Sequence, residues 1–249
     1  MTSVFIRNFT FAALPASGLN GQPLFHGLLA KCDFDVNEYR DELFAVYGIA
    51  FPGSLQKAVV KRRAEYLAGR FVARQVLNML EVRDFLLTNG IDRAPQWPVG
   101  LIGSISHNNQ RALCTAQVIT PRVDASESNS HHHGIGLDIE SLIPAERAKN
   151  LWPGILSEDE YHHFQKDPFP FEKLLTLAFS AKESLFKAIF PQLGRYFDFL
   201  DARLLSYSLD TGRFELQLLR QLSDEFPEGR RFTGCFVLND SDVQTFIAY

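Results

Sequence analysis

Apolar and polar residues alternate in a series of short stretches, the pattern of half-buried strands. Residues 4–11 and 24–34 predict two strands on either side of a Pro-, Gly- and Asn-bearing turn region at 15–23. Residues 101–106, 112–120, 135–139, 197–208, 213–219, 231–238 and 244–248 predict seven more, with Asp210-Thr211-Gly212 as a hairpin turn. Helical spacing takes over at 37–47 and in a long helix that Ser54 would cap and that runs to about residue 80. It returns at 144–150, at 158–166 behind the capping box Ser157-Glu158-Asp159-Glu160, and at 172–190, where Pro191 should end it.

The long helix after Ser54 offers Val60, Ala64, Leu67, Ala68, Phe71 and Val72 to a core. Gly69 in its interior costs about 1 kcal/mol relative to Ala, so it should mark a close packing contact. Arg63, Arg70 and Arg74 share one face, which suits either a solvated charged surface or an anion-binding edge. In the last long helix Leu175, Phe179, Leu185, Phe186 and Ile189 form the apolar side.

Composition narrows the class. A chain of 249 residues can bury a core as one large domain or two smaller lobes. The net charge of −4 gives no global attraction to nucleic acid or to an anionic membrane. No apolar run approaches the roughly 20 residues needed to span a bilayer, and residues 1–8 lack the features of a secretory signal. Cys32, Cys114 and Cys235 are too far apart for a zinc site and odd in number, so they read as small buried apolar residues in a reducing compartment. Residues 121–133 are rich in Ser, Asn, Asp, Glu and His and read as a surface loop or linker. The run His131-His132-His133 within it reads as solvated, since adjacent side chains cannot all face one ion.

Two segments carry candidate chemistry. In Gly134-Ile-Gly-Leu-Asp-Ile-Glu140, Asp138 and Glu140 are two apart and leave one face of a strand. In Phe179-Ser-Ala-Lys-Glu-Ser-Leu-Phe-Lys187, Glu183 and Lys187 are one helical turn apart. Carboxylates crowded together repel unless a cation intervenes, and all-oxygen ligation suits Mg²⁺.

G-x-D-x-E followed about forty residues later by F-S-x-K-E-S-x-x-K resembles the Sfp-type 4′-phosphopantetheinyl transferase family, and within it the enterobactin synthase component D group. Arg63-Ala-Glu-Tyr-Leu-Ala-Gly-Arg70 and Trp97-Pro-Val-Gly-Leu-Ile-Gly-Ser-Ile-Ser-His107 add two further blocks in the family's order. The resemblance implies two pseudo-symmetric α+β lobes, 1–125 and 134–249 joined by 121–133, with the ligand in the cleft between them. It implies transfer of phosphopantetheine from coenzyme A to a serine of an apo acyl, peptidyl or aryl carrier, such as those of siderophore assembly. Asp138, Glu140 and Glu183 would hold Mg²⁺. Glu183 would also be the candidate base, a role that competes with metal ligation, and Lys187 would steady the pyrophosphate. Arg63, Arg70, Arg93, Ser106, His107, Asp138 and Lys187 would contact coenzyme A. Lys182 would face the cofactor's phosphates or solvent, and Trp97 would pack. A cytoplasmic monomer is expected. The competing expectations are a non-catalytic coenzyme A-binding protein and a metal-dependent phosphohydrolase or nuclease.

Overall fold

A computed structural model describes residues 5–12, 27–119 and 134–249. The chain divides into two compact units, one on either side of the 120–133 stretch. The expected linker at 121–133, the turn region at 15–23 and the three histidines all lie outside the described residues.

In the first unit, β1 (Ile6–Ala12), β2 (Leu28–Phe34), β3 (Leu101–His107) and β4 (Arg111–Val118) form an antiparallel sheet in the order β1-β2-β4-β3. The 37–47 segment is not one helix. It is a 3-10 turn at Val36–Glu38 capped by Asp35, an extended Tyr39, and a single helical turn, α1 (Leu43–Val46). The long helix α2 (Val60–Met79) crosses β4, β2 and β3. Its Ala64, Leu67, Ala68, Val72, Ala73, Val76 and Leu77 are buried, a stripe at helical spacing. Gly69 is a close approach as expected, since a Cβ there would lie 3.1 Å from Ile105.

Two expectations about α2 are corrected. Ser54 does not cap it but lies in a separate 3-10 turn, Gly53–Leu55. Arg63 reaches back to the Leu55 and Gln56 carbonyls and holds that turn apart, so the helix starts at Val60. Val60 is consequently exposed rather than in the core.

In the second unit, β5 (Ile135–Ser141), β6 (Ala202–Ser208), β7 (Arg213–Leu218), β8 (Arg231–Leu238) and β9 (Asp242–Ala248) form an antiparallel sheet in the order β5-β9-β8-β7-β6. The helices are α3 (Ala145–Leu151), α4 (Glu158–Phe164) and α5 (Phe171–Leu193). The Ser157–Glu160 capping box is present at the start of α4. The stretch before β6 is not extended throughout: Phe199–Asp201 is a 3-10 turn that Asp198 caps. Pro191 does not stop α5. In the last turn its missing N–H forfeits a single ladder bond, and the helix runs on to Gly194, whose φ of 68° makes the left-handed cap.

Helix α5 packs on β5 and β9, and this contact positions the acidic residues of the strand. Gly134, just before β5, and Gly136, Asp138 and Glu140 within it alternate, so they share the face turned to α5. A Cβ on Gly136 would run into the Ser184 carbonyl, and one on Gly134 into the Ala188 carbonyl. Only glycine lets strand and helix backbones meet this closely. All three cysteines are buried and unbridged, with burial pushing the Cys32 and Cys235 thiols up to about 12. We expect Gly136→Ala to force α5 off β5 and cost about 1–3 kcal/mol or more. Urea denaturation measures this, and an unchanged midpoint would contradict the close approach.

Candidate active site

The acidic strand and the long helix of the second unit meet through Asp138. It is 2 % exposed, and each of its carboxylate oxygens has a partner on α5. The Lys187 ammonium donates to Oδ1 at 2.6 Å and to the Leu137 carbonyl at 3.2 Å, and the Ser180 hydroxyl donates to Oδ2 at 2.9 Å. Ser180, Ser184 and Lys187 recur at i, i+4 and i+7 of α5, one stripe facing the strand. Glu140 and Glu183 are half-buried beside this pair.

The electrostatics record the crowding. Burial, then the neighbouring Asp138, pushes Glu140 up to about 8; Lys187 opposes this and Glu183 adds to it. Burial raises Glu183 as well, against the pull of Lys187 and with a push from Asp138. Burial alone would lower Lys187, but Asp138, Glu183 and Glu140 together raise it. Three carboxyl groups thus share one ammonium in a place of restricted hydration, a crowding that a proton on Glu140 or a divalent cation would relieve. Among the described residues no three His, Cys, Asp or Glu side chains converge closely enough to form a ready-made metal cage. The donor set is all oxygen, as Mg²⁺ requires, and its charge fits that ion.

Lys182 corrects an expectation. It faces neither phosphates nor solvent but is buried, with its ammonium 2.8 Å from the Ile155 carbonyl and 2.9 Å from Glu160 Oε2. Glu160 also accepts from Ser157 N at 3.0 Å and from Leu204 N at 2.9 Å. The capping-box glutamate is therefore the buried counterion that joins α4, α5 and β6. Burial lowers the Lys182 pKa while Glu160 pulls it back up.

In the first unit, the residues expected to meet coenzyme A separate into two sets. The Arg63 guanidinium is committed to the protein: Asp41 at 2.8 Å, the Leu55 and Gln56 carbonyls, and the Phe51 ring. Arg70 is buried, bonded to Asn89 Oδ1 and lying over the Tyr66 ring at 4.7 Å. Arg74, on the same face, binds the Tyr47 and Gly48 carbonyls. All three hold turns and loops of the protein, and Arg70 and Arg74 also line one cavity. Trp97 packs against the core, where a side chain on Gly103 would strike it.

Ser106 and His107 end β3, and Arg93 is exposed in the preceding loop with φ of 67°. His107 has two neighbours that sequence reading passed over. Arg62 Nη1 lies 3.1 Å from His107 Nε2, and Glu65 Oε2 lies 3.8 Å from Nδ1. Guanidinium only donates, so Nε2 accepts and the neutral ring carries its proton on Nδ1, toward Glu65. Burial raises the Glu65 pKa, against Lys61 and Arg62. The signal was present in the sequence, because residues 62 and 65 are one helical turn apart.

Comparison with known proteins follows this division. The 4′-phosphopantetheinyl transferase N-terminal domain matches residues 51–117, and the 4′-phosphopantetheinyl transferase superfamily domain matches 134–238. The 4′-phosphopantetheinyl transferase Npt of Nocardia iowensis is 30% identical over 207 residues, 78% of this chain and 86% of that protein. The chain belongs to the 4′-phosphopantetheinyl transferase family. Svp of Streptomyces mobaraensis, another 4′-phosphopantetheinyl transferase, is 32% identical over 200 residues, 77% of this chain and 74% of its own. Enterobactin synthase component D of Salmonella typhimurium is 38% identical over 156 residues, 63% of this chain. That match spans 59% of the enterobactin protein's length. In this family member Asp138, Glu140, Glu183 and Lys187 fall within the superfamily match, and Arg93, Ser106 and His107 within the N-terminal one. Lys182→Met should cost about 3–5 kcal/mol by stranding the buried Glu160 carboxylate. A urea midpoint close to that of the parent would refute the clamp.

Proposed function

We propose that the protein transfers 4′-phosphopantetheine from coenzyme A to a serine of an apo carrier protein and releases adenosine 3′,5′-bisphosphate. The observation that carries this reading is the Asp138–Lys187 pair with Glu140 and Glu183 crowded beside it, within a chain of this family. In the reaction the serine oxygen bonds to the phosphorus that bears the pantetheine arm. The bond from that phosphorus to the bridging oxygen of the pyrophosphate breaks, and the serine proton must be accepted nearby.

The chain's own groups suit these tasks. Glu183 is the base: burial raises its proton affinity, against the pull of Lys187. Lys187, held by Asp138, presents a fixed positive charge to the pyrophosphate oxygens. Asp138, Glu140 and Glu183 would hold Mg²⁺, which when bound neutralises phosphate charge. Arg93 offers an exposed guanidinium to the adenosine 3′-phosphate, while buried Ser106 and half-buried His107, whose ring faces Arg62 and Glu65, would exchange protein contacts for it. Arg63 and Arg70 fit the role of framework better than that of cofactor contacts, because their guanidiniums are bound within the protein.

The acceptor is a peptidyl or aryl carrier of siderophore assembly, a reading supported by the likeness to enterobactin synthase component D. The site of action is the cytoplasm, where coenzyme A is made; among the described residues no helix is long and apolar enough to cross a membrane.

The test is mass spectrometry of apo carriers incubated with the protein, coenzyme A and Mg²⁺. A carrier that gains the phosphopantetheine arm supports the reading. Hydrolysis of coenzyme A without modification of any carrier would favour a phosphohydrolase. Asp138→Ala should lower kcat/KM by about 100- to 1000-fold without unfolding the protein. His107→Ala should act mainly by raising KM for coenzyme A, and a pure kcat loss would contradict its binding role.

A further inference from the structure

Behind Asp138 lies a chain of buried hydroxyls that none of these roles uses. Ser180 Oγ is 2.9 Å from Asp138 Oδ2 and 2.9 Å from Thr245 Oγ1. Thr245 Oγ1 is in turn 2.7 Å from Ser184 Oγ. Ser180 and Ser184 are wholly buried and Thr245 is 1 % exposed. Ser180 and Ser184 are the two serines of the F-S-x-K-E-S segment, one turn apart on α5. Thr245 comes from β9, directly across the ladder from Asp138, and lies outside the part of the chain that the superfamily domain matches.

Each hydroxyl has one proton, and the carboxylate at one end orders the chain. A carboxylate accepts only, so the Ser180 proton goes to Asp138. Ser180 Oγ can then only accept, so the proton between it and Thr245 belongs to Thr245, which also points at the Ser180 carbonyl at 2.8 Å. Ser184, whose hydroxyl also reaches the Thr245 carbonyl at 3.1 Å, is then the donor left for Thr245 Oγ1 at 2.7 Å. Only the order Ser184 to Thr245 to Ser180 to Asp138 gives a proton to each of the three short contacts. Hydrogen bonds aligned head to tail strengthen one another in a low-dielectric interior.

We infer that Ser180, Thr245 and Ser184 are positioning residues that hold Asp138 Oδ2 inward, so that the Oδ1 edge beside Lys187 is the one presented to a divalent cation. The inference rests on the transferase reading for its catalytic meaning, but its geometry stands on the β5–α5–β9 contacts alone. It also gives the two serines of the motif a reason: both are buried, and both turn their hydroxyls toward Thr245.

The test measures Mn²⁺ affinity in the presence of coenzyme A for the parent, Ser180→Ala, Thr245→Val, Thr245→Ser and Ser184→Ala, beside carrier modification with Mg²⁺ and urea denaturation. Ser180→Ala and Thr245→Val should weaken Mn²⁺ binding by about 10- to 100-fold, with Ser184→Ala, farthest from the carboxylate, weakest in effect. KM for coenzyme A should stay within about twofold of the parent, and Thr245→Ser, which keeps the hydroxyl, should restore affinity. Unchanged Mn²⁺ affinity in Ser180→Ala and Thr245→Val would overturn the inference. So would losses that follow the urea midpoints rather than the order along the chain, or a Thr245→Ser no better than Thr245→Val. A parent that binds Mn²⁺ with this ordered dependence yet modifies no carrier would refute the transferase reading and leave the positioning role standing.

Discussion

The site depends on how closely α5 lies against β5. Gly134 and Gly136 remove the side chains that would hold strand and helix apart, and the Ser184 and Ala188 carbonyls occupy the space. The next residues on the same face are Asp138 and Glu140. The strand therefore changes from no side chains to acidic ones within a few residues. Asp138 thereby reaches Ser180 and Lys187 at hydrogen-bonding distance from a helix that also covers β9. A wider gap would leave a buried carboxylate without partners, which is far more costly than the small amount that an exposed ion pair contributes.

Two lysines five residues apart on α5 have opposite fates for the same geometric reason. At 100° per residue they project about 140° apart. Lys187 turns to β5 and supplies the charge of the site, whereas Lys182 turns to α4 and is consumed by Glu160. The second pair anchors the helix on the side away from the strand. The acidic cluster and the clamp are thus parts of one helix held from two sides, with the catalytic candidates on the partly exposed side.

Much of this was legible in the sequence, and the failures have physical causes. Alternation and helical spacing locate the nine strands among the described residues and the long helices, because burial on one face imposes those periods. Asp138, Glu140, Glu183 and Lys187 were legible because a strand places i and i+2, and a helix i and i+4, on one face. Val60, Ser54 and Pro191 were misread because helix ends are set by tertiary contacts, here Arg63 reaching back, and by how little a proline costs in a final turn. Lys182 was misread because its partner is 22 residues away on another helix. Thr245 was silent for a similar reason: its partners lie 61 and 65 residues upstream, and one threonine in a β-strand carries no local mark. The burial of Arg70 against Tyr66 and Asn89 shows only in three dimensions.

If β5 and α5 together bring three carboxylates to a divalent cation beside the Asp138–Lys187 pair, the ion itself can be located. Crystals grown with coenzyme A and Mn²⁺, measured for anomalous scattering at the manganese edge, do this most directly. One strong peak bounded by oxygens of Asp138, Glu140 and Glu183 is expected. A peak bound elsewhere, or none while coenzyme A is plainly present, would contradict the assignment of these carboxylates.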